Sequence, residues 1–83
     1  MREKEKTLAF NVIFRPEPEG GFTVLVPSLP GCITYGRTIK KAQEMAVEAI
    51  ALYLETVESR GEKVVSDRHN RISTIQVPIM AHA

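Results

Sequence analysis

The chain has 83 residues, 43% apolar and 25% charged, with 11 Lys and Arg against 10 Asp and Glu. That length holds one hydrophobic core, and near-neutrality supplies no sustained positive field to gather a polyphosphate partner, which argues against a dedicated nucleic-acid binder. The single cysteine, Cys32, excludes an internal disulfide and fits a reducing compartment.

Met1-Arg2-Glu3-Lys4-Glu5-Lys6 opens the chain with alternating charge and no apolar run, unlike a signal peptide, and reads as a flexible, solvated arm. No apolar stretch approaches the ~20 residues of a membrane-spanning helix. The expectation is a cytoplasmic protein with no membrane contact, folded as one domain over residues 1–83 with its core in 7–79.

Over residues 7–15, Leu8, Phe10, Val12 and Phe14 fall at alternate positions, the period of a half-buried strand. Pro16-Glu17-Pro18-Glu19-Gly20-Gly21 stops that strand and turns it back into a second over residues 22–26. Pro27-Ser28-Leu29-Pro30-Gly31 breaks the pattern again, with Pro30-Gly31 suited to the centre of a type II turn. A short third strand over residues 32–35 leads to Gly36.

Thr38 is the expected N-cap of a helix starting at Ile39. Behind it Ile39, Ala42, Met45, Ala46, Ala49, Ile50, Tyr53 and Val57 form one apolar stripe of about six turns, with Gly61 as the stop. Residues 62–71 carry no period and read as a polar connection. Residues 72–79 alternate once more, with Ile75, Val77 and Ile79 on one side and Thr74 and Gln76 on the other, which predicts a fourth strand.

The predicted order is β-β-β-α-β, an α+β fold in which an antiparallel meander carries one helix on one sheet face. One helix covers one face only. Phe10, Phe14, Phe22, Val24 and Val77 are expected beneath it, and Ala9, Asn11, Ile13, Thr23, Leu25, Thr34 and Gln76 on the open side. An uncovered face of mixed polarity, flanked by bare sheet edges, is where a partner or a second copy would dock.

Chemistry finds little purchase. Two-metal phosphodiester hydrolysis needs carboxylates converging from adjacent strands, and the predicted strand interiors contain none. Cys32 is a possible nucleophile if a histidine meets it, against the simpler reading of a small core residue. His69 and His82 match no metal-ligand spacing, so neither metal nor cofactor is expected. Arg37, Lys40 and Lys41 at the helix start offer a conceivable phosphate or nucleic-acid site. No Gly-rich loop or aromatic platform accompanies them, so a solvated basic face is the simpler reading.

The run Gly20-Gly21-Phe22-Thr23-Val24-Leu25-Val26-Pro27-Ser28-Leu29-Pro30-Gly31-Cys32-Ile33-Thr34-Tyr35-Gly36-Arg37-Thr38, followed by Ala42, Glu48-Ala49-Ile50 and Tyr53, closely resembles the N-terminal domain of HicB-type antitoxins. The resemblance covers roughly residues 8–60. It implies a degenerate RNase H-like fold without a nuclease centre, no enzymatic activity, self-association as a homodimer or higher oligomer, and a HicA-type toxin as partner. That toxin is a small mRNA-cleaving ribonuclease, which the antitoxin occludes. The expected partner-binding residues are Ile13, Leu25, Pro27, Leu29, Pro30, Gly31, Tyr35 and Arg37. A non-catalytic nucleic-acid-binding or regulatory module is the alternative.

This chain departs from the family pattern in three ways. Arg37 and Lys41 stand where relatives carry acidic residues, so a capping box is missing and the charge offered to a toxin differs. Residues 64–67 lack the usual proline after the helix. The sequence ends at Ala83 without the appended DNA-binding domain of many relatives, so no direct DNA binding is expected.

Overall fold

The computed structural model describes residues 7–80; the charged arm read at residues 1–6 and His82 lie outside them. Three strands, β1 (Ile13–Pro16), β2 (Phe22–Leu25) and β3 (Ile33–Gly36), precede one helix, α1 (Ile39–Ser59). They form an antiparallel sheet in the order β1-β2-β3. The α+β class and the meander with one helix thus match the sequence reading.

Turn chemistry shapes both connections. Gly20 and Gly21 take φ of +107° and +79°, and Glu17 N–H donates to the Gly21 carbonyl at 3.0 Å, closing the β1–β2 hairpin. Between β2 and β3, Cys32 N–H donates to the Leu29 carbonyl at 2.9 Å with Gly31 at φ +83°, the geometry expected of a Pro-Gly type II turn.

The helix begins and ends where the residues dictate. Thr38 Oγ1 accepts from Lys41 N–H at 3.0 Å, a cap worth about 1 kcal/mol. At the other end Gly61 N–H donates to the Glu58 carbonyl and Glu62 N–H to the Val57 carbonyl, with Gly61 at φ +74°. That is the paired closure of a Schellman motif, which needs a left-handed residue at this position.

Two contiguous clusters make the core. Val24, Ala42 and Ala46 pack with Val12, Phe14 and Phe22. Val26, Leu29 and Cys32 pack with Phe10, Val12, Ala49, Ile50, Tyr53 and Val64. Small residues at 42 and 46 let the helix approach the sheet closely, while the larger Ile50 and Tyr53 fill the wider end toward the 26–32 loop.

Three expectations need correction. The ladder of the first strand starts only at Ile13, not at Thr7, because β2 turns away at Pro27 and leaves residues 9–11 without a strand to pair with. The later segment fills that place: Asp67 N–H donates to the Ala9 carbonyl at 2.7 Å, and Ala9 and Asn11 N–H donate to Ser66 Oγ and the Asp67 carboxylate at 2.9 Å each. Thr34 lies on the covered side, since it stands opposite Val24, and Ile33 and Tyr35 take the open face. The fourth strand is not formed: residues 72–80 are exposed throughout and pair with none of β1, β2 or β3, so Val77 and Gln76 belong to neither sheet face.

Asp67, only 4% exposed, is the polar anchor of this arrangement. Its carboxylate accepts from Asn11 N–H, from Ser28 Oγ at 2.7 Å and from Asn70 Nδ2 at 2.9 Å. The bond from the Asn11 amide, then that from Ser28, holds the carboxyl below the usual aspartate range. A lowered folded value means that the stabilisation is complete above the unfolded pKa of about 3.9 and disappears as pH falls through the folded one. Thermal melts of the wild type and of Asp67→Asn should therefore differ most near pH 6 and converge below pH 4. A gap that stays constant down to pH 2 would show that the charge on Asp67 contributes nothing.

Candidate functional site

A helix on one side leaves the other side of the sheet to solvent, and the register fixes what that side displays. Ile13 stands opposite Leu25, and Leu25 opposite Ile33, giving an aliphatic row across all three strands. The adjoining row is Arg15, Thr23 and Tyr35. Ile13 and Ile33 are 46% and 59% exposed, so the row is not a second core.

Short-range contacts hold the second row in place. Tyr35 Oη donates to the Gly20 carbonyl at 2.8 Å, and a Cβ on Gly21 would lie 2.0 Å from that oxygen, so the ring rests directly on the glycine. Thr23 Oγ1 donates to the Glu17 carboxylate, which also meets Arg15 Nε at 3.3 Å. The Thr23 bond, then that from Arg15, lowers the pKa of Glu17. The face is therefore aliphatic along one row and polar and paired along the next, a mixture suited to protein docking.

Of the residues singled out in the sequence, Ile13, Leu25 and Tyr35 come together on this face. Pro30 and Gly31 lie beyond its β3 end, where with Ile33 they line a groove against Leu52, Tyr53 and Thr56 of α1. Pro27 is exposed on the same loop, and Arg37 is exposed just past β3. Leu29 is different: at 2% exposure it is a core residue that moors the loop and offers a partner nothing. Sequence reasoning missed Ile33 and Leu52. Cys32 held the signal for the first, because a buried residue at 32 forces 33 and 35 to the opposite face.

The alternative chemistries find no arrangement to use. Cys32 is 5% exposed between Val26 and Leu29, and burial pushes its thiol pKa up, away from the reactive thiolate. Among the described residues no three His, Cys, Asp or Glu side chains gather as metal ligands would. Lys41 pairs with Glu44 at 3.7 Å, which partly neutralises the basic cluster at the helix start. No helix among the described residues is long and apolar enough to cross a membrane.

Known proteins share this pattern. Residues 10–78 match the family model described as HicB_like antitoxin of bacterial toxin-antitoxin system. UPF0150 protein Ta0767 of Thermoplasma acidophilum is 36% identical over 66 residues, covering 80% of this chain and 96% of that protein. A UPF0150 protein of Helicobacter pylori is 32% identical over 59 residues, 71% of this chain and 82% of its own length. Antitoxin HicB 1 of Photorhabdus laumondii is 34% identical over 59 residues, and this chain spans 38% of that longer protein. The matched span takes in the sheet, the 27–31 loop and the whole of α1, and on that ground the chain belongs to the HicB-like antitoxin family of bacterial toxin–antitoxin systems.

Proposed function

We propose that this protein is an antitoxin that binds a HicA-type mRNA-cleaving ribonuclease in the cytoplasm and blocks it by occlusion, without catalysis of its own. The observation that carries the reading is the aliphatic row Ile13, Leu25 and Ile33 on a sheet face that α1 leaves bare. Apolar side chains bordered by a row of paired polar groups are suited to exclude water from a protein contact. Tyr35, Pro27, Pro30, Gly31 and Arg37 extend that surface. The three-stranded meander and its helix serve here as a degenerate RNase H-like core, used as a scaffold rather than as a nuclease. The chain acts as one domain and self-associates, and DNA is not among its direct partners.

The test is co-expression with a HicA-type toxin, sought as a short basic protein in the adjacent open reading frame. The wild type should rescue growth and co-purify with that protein. The double variant Ile33→Asp, Tyr35→Ala should keep its circular dichroism spectrum and bind at least about 30-fold more weakly, the loss typical of interface hot spots. Failure of the wild type to bind, or full rescue by the double variant, overturns the reading.

A further inference from the structure

Residues 72–79 have the period of a strand and touch no sheet. Ile75, Val77 and Ile79 are 74%, 70% and 83% exposed, an unusual display for three aliphatic side chains on one side of an eight-residue segment. The radius of gyration of 16.5 Å exceeds the ~11–12 Å of a compact chain this long, as expected when a segment stands away from the body.

The sheet carries a vacancy of matching size. Pro16 has no N–H and pairs with Phe22, and Glu17 N–H donates to Gly21, so odd-numbered residues of β1 bond to β2. The same parity turns Ala9 and Asn11 toward Ser66 and Asp67. Phe10, Val12 and Phe14 consequently aim their backbone groups outward, along an edge that no strand among the described residues covers. Beside that edge lies a groove lined by the apolar Leu8, Phe10, Ile50, Ala51 and Leu54 and by Glu55 and Glu58. The other edge, β3, is bounded by the Pro30-Gly31 turn before it and by the Thr38 helix cap after it, so it offers no continuation beyond its four residues.

Folding back onto its own edge is awkward for the segment. Asp67 is pinned on the inner side of residues 9–11, and Asn70 N–H closes a turn onto the Asp67 carbonyl at 2.9 Å. Only residues 68–71 remain to circle the first strand, a reach of about 14 Å at full extension. Pairing two such segments with each other alone would leave their apolar sides wet, and a two-stranded ribbon is at best marginally stable. Pro78 adds a constraint of its own: lacking an N–H, it must sit on the outer side of an edge strand, which turns the backbone of residues 75, 77 and 79 toward whatever the strand joins.

We infer that residues 72–79 are an exchanged strand: in a two-fold dimer each copy lays this segment along the β1 edge of the other and buries Ile75, Val77 and Ile79 in the groove formed with α1. Each sheet then has four strands, and the alternation of residues 72–79 is satisfied between chains instead of within one. The inference rests on the self-association in the functional reading and is independent of the toxin.

Light scattering and sedimentation equilibrium on the purified full chain, with amide exchange read by NMR, test it. The wild type should be a dimer in which the amides of Val12, Phe14, Ile75, Val77 and Ile79 are protected. The variant I75D/V77D, which sets carboxylates against a groove that already holds Glu55 and Glu58, should raise the dimer dissociation constant about 100-fold or more and abolish that protection. Its fold should survive, because both side chains are largely exposed in their own chain. A dimer that withstands I75D/V77D overturns strand exchange and leaves self-association standing. A wild type that is monomeric at every concentration overturns both, whether its 72–79 amides are protected by folding back or exchange freely.

Discussion

Leu29→Ala should lower the unfolding free energy by about 2–5 kcal/mol. For a chain of 83 residues, whose total stability is on the order of 4–12 kcal/mol, that leaves the fold close to failure. The side chain is 2% exposed among Val26, Cys32, Phe10, Ile50 and Tyr53. Its backbone is held on both sides, with Leu29 N–H donating to the Val26 carbonyl at 3.0 Å and Cys32 N–H to the Leu29 carbonyl. A loop fixed by two consecutive turns cannot settle into the void, so most of the cavity term persists. Urea titration should show a lower midpoint with an unchanged slope. Leu52→Ala is the control, because the same atoms removed from a 65% exposed position should alter stability by no more than about 0.5 kcal/mol. Equal effects at the two sites would mean that the 27–31 loop is not moored by its leucine, and its rigidity as a docking element would go with it.

How far the sequence disclosed this arrangement depends on which forces act locally. The helix was legible to the residue at its start and nearly so at its end, since a 3.6-residue stripe, a threonine cap and a terminal glycine are all written within 24 positions. Both turns were legible for the same reason, as Pro and Gly fix φ whatever lies around them. Strand pairing is a different matter. Alternation shows that residues 7–15 and 72–79 are strand-shaped, but the pattern names no neighbour. The neighbour of Ala9 and Asn11 proved to be Asp67, a residue with no apolar period to announce it. The open face was half legible: Ile13 and Leu25 were placed correctly, and the β3 residue was displaced by one, from Ile33 to Thr34. A slip of one residue is the natural error for a period of two, and it exchanges the two faces wholesale.

Gly36→Ala should destabilise the protein by about 1–3 kcal/mol, and Gly36→Val by more. This glycine is not needed for a left-handed backbone, as its φ is not positive. It is needed for proximity: a Cβ here would lie 2.4 Å from both Cα and N of Ala42 and 2.8 Å from the Lys41 carbonyl carbon. Those are main-chain atoms in the first turn of a capped helix, so relief requires α1 to move away from β3 rather than a side chain to rotate. Gly31 provides the contrast, with open space around it and φ at +83°. There Asn, which tolerates the left-handed region, should be accepted better than Ala, whereas at Gly36 Asn should do no better than Ala. Displacing α1 would also part Tyr53 and Leu52 from Ile33 along the groove that borders the open face. Gly36→Ala should accordingly weaken toxin binding in proportion to its loss of stability, while Ile33→Asp should weaken binding and leave the unfolding midpoint where it was. If Gly36→Ala lost stability and bound its partner as well as the wild type, the position of the helix would be irrelevant to recognition, and the docking surface would have to lie on the sheet alone.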